Sequence, residues 1–191
     1  MKIYNSFKTN IWSGGATTEL FIAPKNAQLS KRNFHFRLST ATIETDESNF
    51  TPLPAIDRIF MVVGGTISLS HNGGSYKQIN QFEQDYFSGS CLTKSKGKAQ
   101  AFNLMLMGEN QGSLRHKSLA ENDNFLYEVT KANVSSFIYL VNGKLEIFDI
   151  QTNERVILKT NELLLLKEGS YSINARFKTN LLLIHIENTV Y

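Results

Sequence analysis

The sequence has one cysteine, three prolines and one tryptophan in 191 residues. A single cysteine excludes an intramolecular disulfide and any zinc site built from two or more thiolates, and it is typical of a reducing compartment. A chain of this length can bury a substantial core without such support. With 41% hydrophobic and 19% charged residues, the composition is that of an ordinary globular protein.

The sequence also lacks strong charge of one sign and long hydrophobic runs. Lys and Arg number 20 against 17 Asp and Glu, and the densest basic stretch, residues 94–98, contains no aromatic residue that could stack on bases. The first fifteen residues have no apolar signal region, and aliphatic runs such as Leu163 to Leu166 are too short to span a bilayer. We therefore expect a cytoplasmic protein with neither a nucleic-acid nor a membrane partner.

Short apolar segments are separated by Gly, Asn and Asp along the whole chain, which indicates an all-β protein. Phe34, Phe36 and Leu38 alternate with polar residues, so they predict a strand with one apolar and one polar face. Residues 161–169 (NELLLLKEG) fit either a short helix or a buried strand.

An internal repeat is the most informative pattern. Residues 59–69 (IFMVVGGTISL) match residues 137–147 (FIYLVNGKLEI), and each predicts two strands joined as a hairpin by a glycine turn. A closing apolar strand follows in both copies, and each copy has enough short strands for one antiparallel roll. We predict two tandem jelly-roll barrels, residues 1–107 and 124–191, with 108–123 as the connection.

Sequence signals for familiar catalysis are missing. The four histidines are far apart in sequence with no His-x-His pair, so neither a metal site nor a cofactor is expected. There is no G-x-S-x-G elbow and no glycine-rich phosphate loop, so covalent catalysis has no support.

Several polar side chains stand among apolar strand residues. Trp12 could be either the floor of a pocket or a plug at the end of a roll. Asn103 could orient a ligand through its amide or bond to neighbouring backbone.

Two arginines, Arg37 and Arg58, are flanked by strand-forming apolar residues. An arginine so placed needs an anionic partner, which is either a structural carboxylate such as Asp57 or Glu19 or the carboxylate of a ligand. The adjacent Asp57 favours a structural partner for Arg58.

Four motifs occur in order: W-x-G-G-x-T from Trp12, F-R-L-S-x-A from Phe36, F-x-x-L-P-x-x-D-R from Phe50 and F-N-L-M from Phe102. Together they resemble the HutD/Ves family closely over residues 7–107, and the remainder resembles it as a divergent second repeat. This resemblance implies a cupin-like double-stranded β-helix in a bicupin arrangement, which agrees with the repeat. Members are linked with histidine utilisation or stress responses and are not established enzymes.

The resemblance also implies a metal-free pocket in the N-terminal roll for a small acidic metabolite such as formylglutamate. The ligand-binding residues that it implies are Trp12, Thr17, Arg37, Ser39, Arg58, Asn103 and Met105. Two departures concern this pocket. A lysine that often follows the tryptophan is missing, and Ala101 stands where an acidic residue usually precedes Phe-Asn.

The leading hypothesis is a metal-independent bicupin that binds a carboxylated metabolite as a sensor or modulator of its pathway, not as a catalyst. The alternative is a metal-free isomerase or hydrolase that uses general acid and base catalysis through His71 and a nearby carboxylate such as Glu83 or Asp85. A third hypothesis is an interaction module in which exposed strands or the second roll form a homodimer.

Overall fold

The computed structural model describes residues 1–130 and 134–187. The regular secondary structure of this part of the chain is all β-strand, apart from a single 3-10 turn at Leu29–Lys31. The strands are β1 (Lys2–Tyr4), β2 (Lys8–Trp12), β3 (Gly15–Ala23), β4 (Phe36–Ile43), β5 (Glu47–Asn49), β6 (Ile56–Gly65), β7 (Ile67–His71), β8 (Lys77–Ile79), β9 (Gln84–Ser88), β10 (Thr93–Lys96), β11 (Ala99–Met107), β12 (Gln111–Leu119), β13 (Asn124–Val129), β14 (Val134–Asn142), β15 (Lys144–Asp149), β16 (Arg155–Lys159), β17 (Leu163–Leu166), β18 (Gly169–Ala175) and β19 (Thr179–Glu187). Within these ranges no helix is long and apolar enough to cross a membrane.

The strands form two compact units, each built from two antiparallel sheets. The N-terminal unit, Phe7–Asn110, contains a six-stranded sheet in the order β2-β3-β4-β11-β6-β9 and a four-stranded sheet in the order β5-β10-β7-β8. The C-terminal unit joins Met1–Ser6 to the chain from Gln111 onward, with sheets in the orders β1-β17-β14-β19-β12 and β13-β18-β15-β16. The prediction of an all-β protein is confirmed.

The unit boundaries differ from the expected ranges at two places. Strand β1 pairs with β17, so the first residues of the chain belong to the C-terminal unit. Residues 108–123 are not only a connection, because β12 pairs with β19 along its whole length. As an edge strand with one neighbour, β12 keeps several polar side chains in solvent, and this polarity conceals the strand in the sequence. Residues 188–191 of the expected second roll lie outside the described residues.

The two glycine turns are corners between sheets, so the expectation of hairpins is wrong. Strand β6 pairs with β11 and β9, whereas β7 pairs with β10 and β8, so β6 and β7 belong to different sheets. Strands β14 and β15 likewise belong to different sheets. Gly65 has φ +78° and Gly143 has φ +98°, a region that side chains disfavour. The positive φ predicted from the glycines is present, but it redirects the chain into the opposite sheet.

The repeat extends to local irregularities. In each unit the register of the central strand pair shifts by one residue, at Val63 between β6 and β11 and at Val141 between β14 and β19. These bulges lie 78 residues apart, which is the offset of the repeat. The ambiguous leucine run is a strand, β17, in the position that β9 has in the other unit. The eight strands from β4 to β11 therefore pair in the same scheme as the eight strands from β12 to β19.

The corner at Gly65 supplies a test of the fold. A Cβ on Gly65 would lie 2.9 Å from the carbonyl oxygen of Lys98, whereas Gly73, with φ +77°, has no heavy atom within 4 Å of that position. Gly65→Ala should lower the free energy of unfolding by about 2 kcal/mol or more, because strain and a clash combine. Gly73→Ala should lower it by about 1 kcal/mol, from strain alone.

Urea unfolding followed by the fluorescence of Trp12, the single tryptophan, reports on the N-terminal unit. Because the two glycines have nearly the same φ, the difference between the variants measures the steric contribution. Equal losses of stability in both variants would contradict the assignment of Gly65 as a crowded corner.

Candidate functional site

The N-terminal unit contains a cavity of about 350 Å³ between its two sheets. All seven residues predicted to bind a ligand line it: Trp12, Thr17, Arg37, Ser39, Arg58, Asn103 and Met105. They come from five segments of the chain that the fold brings together. Their role in binding stays a prediction, whereas their location around one cavity is observed in the structure.

Strand register explains why these side chains converge. In the sheet, β11 lies between β4 and β6, and Met105 is opposite Arg37 on one side and Arg58 on the other. Two residues earlier, Asn103 is opposite Ser39 and Phe60. Because alternate residues of a strand face the same side, both rows point into the barrel. The polar face predicted for the strand around residue 37 is therefore the interior face.

The Arg37 guanidinium is neutralised within the protein. Its Nε donates to Glu19 Oε2 at 2.7 Å, and its Nη1 donates to Ser39 Oγ at 2.9 Å. The Arg37 residue is only 3% exposed. The register of β3 on β4 shifts between Glu19 and Phe21, and such a bulge redirects neighbouring side chains. Of the two structural partners considered from the sequence, Glu19 is the one that reaches an arginine of the cavity.

The Arg58 guanidinium has no carboxylate partner among the residues that the structure describes. Its Nη2 donates to Asn103 Oδ1 at 3.1 Å, and its buried Nε has no hydrogen-bond partner. The rings of Phe50 and Phe87 each lie 5.1 Å from the guanidinium carbon, so π faces supply part of its stabilisation. Burial, and then repulsion from Arg37, lowers the Arg58 pKa to about 10, so the group remains a cation at neutral pH.

The expected pairing of Arg58 with Asp57 is wrong. Adjacent residues of β6 face opposite sides of the sheet, and Asp57 is exposed while Arg58 is buried. Desolvation, and then the Asp57 carboxylate, raises the pKa of the Tyr86 hydroxyl. The Asp57 carboxylate therefore lies close to Tyr86. Adjacency in sequence therefore led to a wrong prediction, because the two side chains lie on opposite faces of the sheet.

Trp12 lies on the cavity and not as a buried plug. Its ring packs against Gly14, where a Cβ would come within 2.2 Å of the indole carbon Cζ3. Its Nε1 donates to Thr17 Oγ1 at 3.2 Å, and the residue is 37% exposed. Gly14 thus leaves room for a ring that is partly in solvent and partly against the cavity.

His71 does form the expected pair with a carboxylate, but away from the cavity lining. Its Nε2 lies 2.7 Å from Asp85 Oδ2 and its Nδ1 lies 2.9 Å from Thr93 Oγ1. Glu83 instead accepts the backbone N–H of Asn80 in a turn. Both ring nitrogens of His71 therefore have protein partners, and the residue is not among those that line the cavity.

Sequence reasoning missed several lining residues, among them Asn10, Asn49, Phe50 and Leu53. Phe50 and Leu53 stand inside the F-x-x-L-P-x-x-D-R motif, so the motif contained a usable signal. Asn10 and Asn49 lie on short strands where asparagine is common at the surface, and no pattern distinguishes them.

A comparison with models of protein families decides the affiliation of the chain, because the HutD model matches residues 4–183. The chain belongs to the HutD family. The resemblance noted over the first half is thus confirmed, and the match extends through the divergent second repeat. No curated protein matches the chain at the threshold applied.

Solved structures place this HutD-family chain in the cupin-like fold. A conserved protein of unknown function from Pseudomonas aeruginosa PAO1 is 18% identical and has a TM-score of 0.84, with 98% of each chain covered. HutD from Pseudomonas fluorescens SBW25 is 17% identical with a TM-score of 0.72 and 97% of each chain covered. A cupin 2 barrel protein from Leptotrichia buccalis is 9% identical with a TM-score of 0.58, covering 94% of this chain and 91% of that one. The predicted cupin-like fold is confirmed.

The C-terminal unit of the HutD-family chain has a surface pocket of about 450 Å³ on the outer face of its four-stranded sheet, formed by residues that the sequence had not singled out. Arg155 and Arg176 line it, and both pair there with the buried Glu146 carboxylate. Among the residues described in either unit, no three His, Cys, Asp or Glu side chains are grouped closely enough to hold a metal ion.

The contrast between the two arginines predicts opposite effects on stability. Arg58→Met removes a buried, uncompensated cation from this HutD-family chain and should raise the free energy of unfolding by about 1 kcal/mol. Arg37→Met leaves Glu19 without its partner and should lower the free energy of unfolding by about 1 kcal/mol or more. Urea unfolding followed by Trp12 fluorescence measures both. Greater destabilisation by Arg58→Met than by Arg37→Met would contradict the assigned partners.

Proposed function

We propose that this HutD-family protein binds a small carboxylated metabolite, of the formylglutamate type, in the cavity of its N-terminal unit. It acts as a cytoplasmic, metal-independent bicupin that senses or modulates a pathway linked to histidine utilisation. The observation that carries the proposal is Arg58, a buried cation on the cavity wall for which the described part of the chain offers no carboxylate partner. The association of two copies of this chain as a homodimer stays a prediction.

The energetics favour an anionic guest. A hydrogen bond to a charged group contributes about 1.5–3 kcal/mol, and more is gained when the guest compensates a charge that burial had left unpaired. The other walls offer apolar surface from Phe50, Phe60 and Met105, with Asn103 between them. Together these terms support binding in about the micromolar range.

Binding is favoured over catalysis by the chemistry of the lining. No histidine, carboxylate, lysine, tyrosine or cysteine is among the described residues that line the cavity. The remaining ionisable groups are the guanidinium groups of Arg37 and Arg58, and a guanidinium cation is a poor general base. The metal-free isomerase or hydrolase would need a proton-transfer group at the cavity, and His71, its intended base, is not among the lining residues.

Titration calorimetry with N-formylglutamate tests the proposal. We expect binding by the wild type and at least about tenfold weaker binding by Arg58→Met, since the charged contact is lost. Arg32→Met is the matched control, because it removes an exposed arginine of the same unit that does not line the cavity.

The control variant should bind as the wild type does. Unchanged affinity of Arg58→Met would remove Arg58 from the site. If the wild-type protein shows no binding heat with N-formylglutamate or with smaller carboxylates, the proposed function is refuted. Urea unfolding of each variant verifies that the N-terminal unit is folded.

A further inference from the structure

Resting on the proposed function, we infer that the cavity accepts one carboxylate group only, and that Glu19 sets this limit. The ligand portion inside the cavity then carries a single negative charge and is otherwise neutral. A dicarboxylate, N-formylglutamate included, binds only with its second carboxylate in solvent beside Trp12, which is partly exposed.

The charge balance of the cavity is the first argument. Its lining has two cations, Arg37 and Arg58, and no acidic residue. Glu19, behind Arg37, accepts from its Nε at 2.7 Å and cancels one of the two charges. One positive charge remains, and it belongs to Arg58.

The hydrogen bonds that Arg37 already makes are the second argument. Besides Glu19, the Arg37 guanidinium donates from Nη1 to Ser39 Oγ at 2.9 Å and lies 4.0 Å from Met105 Sδ. The arginine is held in this geometry by the chain's own groups. A second carboxylate would have to share a cation that is already neutralised, and it would lie near the Glu19 carboxylate, which repels it.

The remaining wall gives a second carboxylate no alternative cation. Beyond the two arginines the lining consists of amides, hydroxyls and apolar side chains. A carboxylate buried without a cation is strongly disfavoured, whereas a methyl group at the same place meets Phe60 and Met105. The interior is therefore selective against a second charge and tolerant of an apolar or amide group.

Butyrate and succinate test this inference, because both have four carbons and differ by one terminal carboxylate. We expect the wild type to bind butyrate at least about tenfold more tightly than succinate at neutral pH, a difference of about 1.4 kcal/mol. Competition against N-formylglutamate in the calorimeter extends the measurement to weak ligands.

Glu19→Gln is the decisive variant. The glutamine oxygen can still accept from Arg37 Nε, so the geometry is kept while the cavity gains one net positive charge. Succinate should then gain about tenfold in affinity relative to butyrate. Glu47→Gln is the matched control, because it removes the same charge from an exposed ion pair with Lys96 in the same unit, and it should leave the ratio unchanged.

The outcomes separate this inference from the proposed function. Equal affinities for butyrate and succinate in the wild type would overturn the one-carboxylate limit alone, and this result does not depend on whether Glu19→Gln folds. An unchanged ratio in folded Glu19→Gln would remove Glu19 as its cause and overturn the inference. Failure of the wild type to bind any carboxylate would overturn the proposed function and the inference together.

Discussion

The register of β4, β11 and β6 is the constraint on which the cavity depends. These neighbouring strands of the six-stranded sheet place Arg37, Met105 and Arg58 in one row across the barrel interior. A slip of one residue in β6 would move Arg58 to the outer face and bring Asp57 inside. The bulge at Val63 lies beyond this row, towards the corner at Gly65, so the row itself pairs regularly. The electrostatic character of the interior is thus a consequence of backbone pairing.

The two units use one pairing scheme for different interiors. In the N-terminal unit Asn103 is opposite Phe60, whereas at the matching pair of the C-terminal unit Leu183 is opposite Ile138. The position of Arg58 corresponds to Ser136 in the repeat. A continuous apolar core therefore fills the C-terminal roll, and its leucines and isoleucines are almost completely buried. The N-terminal roll replaces part of such a core with cations and amides, at the expense of core packing.

Much of this arrangement could be predicted from sequence because it follows from local patterns. Alternation predicted the strand of Arg37, and the repeat predicted two rolls. Isolated side chains in apolar or glycine-rich segments indicated Trp12, Arg37, Arg58 and Asn103. The family resemblance added Thr17, Ser39 and Met105, and all seven residues line one cavity. Long-range pairing could not be predicted in the same way. The Gly65 turn indicates a change of direction equally well for a hairpin and for a corner between sheets, and nothing local to Arg37 shows that a bulge in β3 brings Glu19 to it. Strand β1 has only three residues, and nothing in them indicates that the strand pairs within the other unit.

The pairing of β1 with β17 has a consequence for the order in which the protein can assemble on the ribosome. Lys2–Tyr4 is synthesised before any other strand described here, yet its partner, Leu163–Leu166, follows almost the whole of the remaining sequence. The N-terminal unit is contiguous and can fold while translation continues, since domains generally fold as units during synthesis. The first strand is meanwhile without its partner, and the C-terminal roll can be completed only after the partner strand has been synthesised.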